Sequence, residues 1–224
     1  MTRKLKYDIL LSKINNYIYD SLLPMNLNYW YNFGSLLGFI LISQIVSGIM
    51  LATNYVATLS FSFESIEHIM REVPFGYIIR YLHSNGAAIF FFLIYFHIAR
   101  GIIYGSYTKY RLGTWYTGIL ILFLLILTGF LGYSLVGGQM SYWAIKVITN
   151  LLTVIPFIGE ELVEWIYGGY NIGEITITRL YAIHYLLPII IVGIVFIHLI
   201  VLHNKGGSNP LGINSVRSLS LINF

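Results

Sequence analysis

Residues 80–101 read RYLHSNGAAIFFFLIYFHIARG, an almost wholly apolar run that carries His83 and His97, 14 positions apart. An ionisable side chain inside such a run is costly in lipid and marks function. Fourteen residues at about 100° each fall about 40° short of four turns, so both imidazoles share one helix face, about 21 Å apart along the axis. Residues 184–203, HYLLPIIIVGIVFIHLIVLH, repeat the arrangement, with His184 and His198 also 14 apart. Glycine follows the same spacing in two further apolar stretches, as Gly34 and Gly48 and as Gly118 and Gly132. Glycine removes the side chain where something must approach a backbone closely.

The rest of the chain fits a membrane setting. Of 224 residues, 57% are hydrophobic and only 10% charged, and the mean hydropathy is +0.75. A chain of this composition has lipid as its solvent. There is no cysteine, which excludes disulfides, thiolate metal sites, cysteine-held clusters and covalent c-type haem. The opening MTRKLKYDILLSKINN does not read as a secretory signal, since its apolar stretch is short and no small-residue cleavage site follows. Apolar stretches run from about Phe33 to Asn54, Phe75 to Tyr104, Thr114 to Leu135 and Arg179 to His203. Each meets the roughly 20 residues needed to span a hydrocarbon core as helix, and only helix satisfies its own backbone there. The expectation is an all-α membrane protein, a bundle of four transmembrane helices, A to D. Between C and D, MSYWAIKVITNLL and IGEELVEWIYGG read as short interfacial amphipathic helices anchored by Trp143 and Trp165.

Charge sets the expected orientation. Arg3, Lys4, Lys6, Lys13, Arg100, Lys109, Arg111, Lys205 and Arg217 gather on one side against Asp8 and Asp20. The other side holds Arg71, Arg80, Lys146 and Arg179 against Glu64, Glu67, Glu72, Glu160, Glu161, Glu164 and Glu174. By the positive-inside rule both termini face the cytoplasm or matrix. The basicity is thus a topology signal and does not indicate nucleic-acid binding. Helices B and D then run parallel, which pairs His83 with His184 on the outer level and His97 with His198 on the inner. Gly48 and Gly132 fall at the outer level, Gly34 and Gly118 at the inner. Two bis-histidine haems, one above the other, satisfy every part of this pattern, because imidazole is a good axial ligand and two of them close the iron to oxygen. A proton or metal transporter with a histidine pathway accounts for the histidines but leaves the glycine ladder without a purpose. Packing alone explains single glycines.

The wording of the chain resembles mitochondrial cytochrome b, the haem subunit of the quinol–cytochrome c reductase, over its N-terminal half. The resemblance rests on NLNYWYNFGSLLG, EHIMREVPFGYIIRYLHSNGA, FLGYSLVGGQMSYW, VITNLLTVIPFIGEELVEWIYGGY, RLYAIHYLLP and HNKGGSNPLGI. The equal spacing in both histidine pairs is similar to the mitochondrial form; the plastid counterpart has one residue more in helix D. The resemblance implies a haem-binding domain over residues 1–214 with a divergent tail, 215–224. It implies two haem b, the low-potential one on His83 and His184 and the high-potential one on His97 and His198. Arg80 and Arg100 would meet haem propionates. His203 and Asn32 would border an inner quinone site, and Phe130, Tyr133, Met140, Ala144, Val147 and Ile148 an outer one; His68 reads as a surface residue of the outer loop. Ubiquinol would give one electron to a Rieske iron–sulfur protein and the other to the outer haem, from which it would cross to the inner one. The implied setting is complex III of the respiratory chain, multi-pass in the mitochondrial inner membrane, with a cytochrome c1-type subunit, a homodimeric assembly and no nucleic acid.

Three departures qualify this. Val136-Gly137 stand where the family usually has Pro-Trp, Ala144 stands where it has glycine, and Lys146 stands where it has threonine. The added methyl of Ala144 narrows the outer pocket and should weaken inhibitors that pack there; Lys146 adds a charge beside it. The family has eight transmembrane helices, and here the resemblance ends after the fourth with NSVRSLSLINF. The implied quinone sites are therefore incomplete in this chain alone, and a separately encoded C-terminal half would finish them. The competing expectation is a truncated or exon-derived fragment, such as the leader of an intron-encoded splicing protein.

Overall fold

The computed structural model describes residues 22–217. The basic N-terminal residues Arg3, Lys4, Lys6 and Lys13, with Asp8 and Asp20, lie outside the described residues, as do positions 218–224 of the tail. Among the described residues the fold is helical apart from one short pair of strands. The described residues form seven α-helices in order: α1 Phe33–Ala52, α2 Ser62–Arg71, α3 Gly76–Ile103, α4 Leu112–Ser134, α5 Gln139–Asn150, α6 Gly159–Tyr167 and α7 Glu174–Lys205. Four of them, α1, α3, α4 and α7, are long and apolar enough to cross a membrane. They correspond to the expected spans A to D. The fourth starts five residues earlier than its apolar stretch, at Glu174 rather than Arg179, because a polar first turn caps the helix rather than entering lipid.

The chain divides into two compact units, each taking one stretch from every long helix. The larger comprises residues 38–91 and 121–192. Its core gathers Leu131, Leu135, Ile145, Val163, Tyr167, Ile172, Ile177, Leu180 and Leu187. The two expected interfacial helices, α5 and α6, are built to cover this core. On α5 the buried residues are Ser141, Ile145 and Thr149, and on α6 they are Gly159, Val163 and Tyr167. Each set repeats every fourth residue, which aligns it along one stripe of a helix. The Thr149 and Tyr167 hydroxyls meet at 2.5 Å where the stripes face each other. Trp143 and Trp165 point outward, 59% and 64% exposed. Helix α6 stops at Gly168, whose φ of 73° lies in the left-handed region, where a side chain is disfavoured.

Helix α2 is an element that apolar length did not reveal. It is too short to span, and its polar face carries the Glu67–Arg71 ion pair at 2.5 Å, while Ser62, Ser65 and Ile69 are buried. His68 is exposed on it. The loop before α2 is tied to the start of α7. The Glu174 carboxylate accepts from the Leu59 amide at 2.5 Å, the Ser60 amide at 3.2 Å and the Ser60 hydroxyl at 2.6 Å. The Tyr55 hydroxyl donates to the Leu135 carbonyl at 2.7 Å, closing α1 against the end of α4. Burial, with the neighbouring Tyr181 phenol, pushes the Tyr55 phenol up from its ordinary range.

Among the described residues the smaller unit comprises 22–37, 92–120 and 193–217. Aromatic rings pack its helix ends: Phe33 stacks on Phe96 at 5.5 Å between centroids and Tyr31 tilts over Tyr104 at 5.7 Å. The loop after α7 is held by polar bonds. The Tyr31 hydroxyl donates to the Ser208 carbonyl at 2.7 Å, the Ser106 and Ser208 hydroxyls meet at 2.5 Å, and Arg111 donates to the Gly207 carbonyl at 2.9 Å. Here also β1, Leu22–Pro24, pairs antiparallel with β2, Ser215–Arg217, in the register Leu23 to Val216. The first residues of the tail therefore return to the start of the described chain.

Candidate haem-binding sites

In the larger unit, His83 of α3 and His184 of α7 face one another, with ring centroids 6.3 Å apart and planes at 85°. They border a cavity of about 450 Å³ whose walls include Gly48, Arg80, Gly132 and Tyr133. That volume lies within the range of about 300–1,000 Å³ usual for small-molecule and cofactor sites. The glycines are what let the rings in. A methyl at Gly48 would lie 3.1 Å from His83 Cε1, and one at Gly132 only 2.6 Å from His184 Cε1. Pro188, one turn beyond His184, is the helix-internal proline of α7 and also lines the cavity. Having no amide hydrogen, it cannot bond to the His184 carbonyl as a helical residue would.

In the smaller unit the glycine contacts recur at His97 and His198. A methyl at Gly34 would lie 3.3 Å from His97 Cε1, and one at Gly118 3.3 Å from His198 Cε1. The four glycines thus stand against the four histidines in the pairs that the spacing sets out. They seat the imidazole edges directly, in addition to opening space.

Each of these four histidines has its Nδ1 engaged. His83 Nδ1 lies 3.0 Å from Ser47 Oγ, and His198 Nδ1 lies 2.9 Å from Thr117 Oγ1. His184 Nδ1 donates to the Thr128 carbonyl at 2.9 Å. Arg100 Nη2 lies 3.1 Å from His97 Nδ1, while its Nε is buried without a partner. Sequence reasoning passed over Ser47, Thr117 and Thr128. The first two carry a legible signal, a hydroxyl residue immediately before a ladder glycine.

The remaining candidates are more dispersed. Tyr133 borders the cavity, Phe130 packs on the hydrophobic core, Ala144 is half-buried, and Met140, Val147 and Ile148 are exposed on α5. His203 and Asn32 are exposed in the smaller unit. Lys146 reaches away from the cavity. Its ammonium donates to Asn171 Oδ1 at 3.3 Å and lies 5.5 Å from the centre of the Tyr167 ring.

The family model described as Cytochrome b/b6/petB matches residues 18–206. The chain belongs to the cytochrome b/b6 family. It is 50% identical over 208 residues to cytochrome b of Saccharomyces cerevisiae, covering 93% of this chain and 54% of that protein. It is 52% identical over 204 residues to cytochrome b of Schizosaccharomyces japonicus, covering 91% of this chain and 52% of the relative. The intron-encoded RNA maturase bI4 of Saccharomyces cerevisiae is also 50% identical over 208 residues, which make up 33% of its length and 93% of this chain. Among solved structures, a chain of a hyperthermophilic respiratory Complex III superposes with a TM-score of 0.83 at 34% identity, covering 94% of this chain and 56% of that one. The chain thus spans about half the length of the cytochrome b relatives it matches.

Family membership implies haem b, and the His83–His184 pair can be tested for fit. A metal–imidazole bond of about 2.0 Å plus roughly 1.1 Å from nitrogen to ring centre, on both sides, gives a centroid separation of about 6.2 Å. The separation found is 6.3 Å. Nδ1–H donation from His184 leaves its Nε2 as the lone-pair nitrogen, the tautomer an axial ligand needs. His83 and His184 fit the group.

Proposed function

We propose that this chain is the haem-carrying N-terminal half of a quinol–cytochrome c reductase cytochrome b, spanning the mitochondrial inner membrane with both termini on the matrix side. The observation that carries the reading is the pair of facing imidazoles at 6.3 Å, which matches the span of two axial ligands on one iron. His83 and His184 hold one haem b, and His97 and His198 hold the second. Bound there, each haem would supply a one-electron carrier.

The chain's own groups do the rest. Arg80, at the wall of the outer cavity, offers its guanidinium to a propionate. At the inner site Arg100 donates to His97 Nδ1, so the reading requires Arg100 to leave that ring for a propionate, a move that also partners its buried Nε. Carboxylate is the stronger acceptor for guanidinium, because the bond is charge-assisted on both sides. Tyr133 with Phe130, Met140, Ala144, Val147 and Ile148 forms one wall of an outer ubiquinol site, and Asn32 and His203 one wall of an inner ubiquinone site. A C-terminal half completes both, within a dimeric complex that includes Rieske and cytochrome c1-type subunits.

A second reading follows from the match to the RNA maturase over the same 208 residues: the segment is the cytochrome-derived leader of a longer, splicing-related product. A reduced-minus-oxidised optical spectrum of the purified chain separates the two. Two b-type signals with distinct potentials support the first reading. A folded chain that takes up no haem overturns it in favour of the second.

A further inference from the structure

We propose that the dipeptides Ser47-Gly48 and Thr117-Gly118 are matched positioning devices, one for each haem site, in which the hydroxyl orients one imidazole of the pair through Nδ1. The inference rests on the bis-histidine reading above.

The two dipeptides repeat one geometry on different helices. In both, the glycine lies against the Cε1–Nδ1 edge of the ring, and the preceding hydroxyl meets Nδ1. For His83 the distances are 3.1 Å from a Gly48 methyl position to Cε1 and 3.0 Å from Ser47 Oγ to Nδ1. For His198 they are 3.3 Å from a Gly118 methyl position and 2.9 Å from Thr117 Oγ1. The other two ladder glycines follow Phe33 and Leu131, which have no hydroxyl, and their histidines turn to Arg100 and to the Thr128 carbonyl instead. Each site therefore has one hydroxyl-held ring.

The direction of these bonds follows from the hydroxyl's single proton. Ser47 donates it to the Ser43 carbonyl at 2.7 Å, and Thr117 donates to the Gly113 or Thr114 carbonyl at 2.9 and 3.0 Å. Each oxygen is left as an acceptor, so the ring supplies Nδ1–H and keeps the Nε2 lone pair. A ring that donates from Nδ1 is a more basic ligand, and a more basic ligand favours the ferric state. Removing the acceptor should therefore raise the potential of that haem alone.

The test is potentiometric titration of the haem-loaded full chain. Thr117→Val keeps the side-chain shape and deletes the acceptor. It is expected to change the ferric-to-ferrous preference of one haem by threefold to tenfold, tenfold being about 59 mV for one electron, with Thr117→Ser restoring it. Ser47→Ala should shift the other haem, with Ser47→Thr restoring it. Unchanged potentials in both deletion variants, equal shifts of both haems, or failure of the hydroxyl-bearing variants to restore would overturn the inference. If Thr117→Val sheds its haem, retention of that haem by Thr117→Ser supports the device and its loss overturns it. A wild-type chain that loads two haems but shows no variant effect refutes only this inference; a wild-type chain without haem refutes the underlying reading as well.

Discussion

Replacing Gly132 by alanine is the sharpest perturbation the structure offers. The new methyl would lie 2.6 Å from His184 Cε1 and 3.2 Å from both ring nitrogens. Ordinary carbon–carbon contact begins near 3.5 Å, so the ring must retreat by about 0.9 Å. A metal bond tolerates about 0.2 Å, and disturbing a ligand's support typically costs about 10- to 100-fold in metal affinity. The other ladder glycines are graded. A methyl at Gly48 would sit 3.1 Å from His83, and methyls at Gly34 and Gly118 would each sit 3.3 Å from their histidines, whereas nothing lies within 4 Å of one at Gly38. Haem content of purified variants, with a redox titration to tell the two haems apart, should rank Gly38→Ala as unaffected. Gly34→Ala and Gly118→Ala should be mildly affected, Gly48→Ala more so, and Gly132→Ala should lose the haem of the His83–His184 pair while keeping that of His97 and His198. If Gly132→Ala retains both haems at wild-type potentials, the close seating of His184 against α4 is not what positions that ligand.

Lys146→Met should leave both haem potentials unchanged and lower thermal stability in detergent by about 0.5–1 kcal/mol, the worth of an exposed cation–π contact, since the ammonium engages Asn171 and Tyr167. Glu174→Ala deprives the Leu59 and Ser60 amides of their acceptor; hydrogen exchange at those two amides should rise while the optical spectrum stays as in the wild type. Tyr55→Phe removes the bond to the Leu135 carbonyl and should cost about 1 kcal/mol, read by thermal unfolding. Because the folded phenol is pushed up, its contribution is fully present below the ordinary tyrosine range near pH 10 and is lost only as pH climbs through the raised value. The wild type and Tyr55→Phe should therefore differ by a constant amount between pH 6 and about 9 and converge at stronger alkali.

Much of the fold could be read from composition and periodicity. Four apolar stretches long enough to span became α1, α3, α4 and α7, because a helix in lipid must satisfy its backbone locally and so declares itself by length. The amphipathic α5 and α6 were legible for a related reason, since the stripes Ser141–Ile145–Thr149 and Val163–Tyr167 repeat at the helical period. The ladders of histidine and glycine likewise announced their pairing, because equal spacing on rigid helices sets equal heights. Helix α2 escaped notice because ten residues with a charged face resemble a polar loop until Ser62, Ser65 and Ile69 find something to pack against. Strand β1 escaped for a stronger reason: its partner, Ser215–Arg217, lies nearly 200 residues away, and three residues carry no pattern of their own.

Within the sites the division is equally clear. Residue type and spacing pointed to four imidazoles meeting four glycines, and each of those contacts is found. Only the tertiary structure decided which atom each imidazole turns inward, by setting Ser47 and Thr117 against Nδ1 of His83 and His198, the Thr128 carbonyl against His184, and Arg100 against His97. It also sent Lys146 toward Asn171 rather than into the cavity. Spacing along a helix is a property of one chain segment, whereas a hydrogen-bond partner is chosen by whichever neighbouring helix presents an acceptor at about 3 Å, and that choice exists only once the helices have packed.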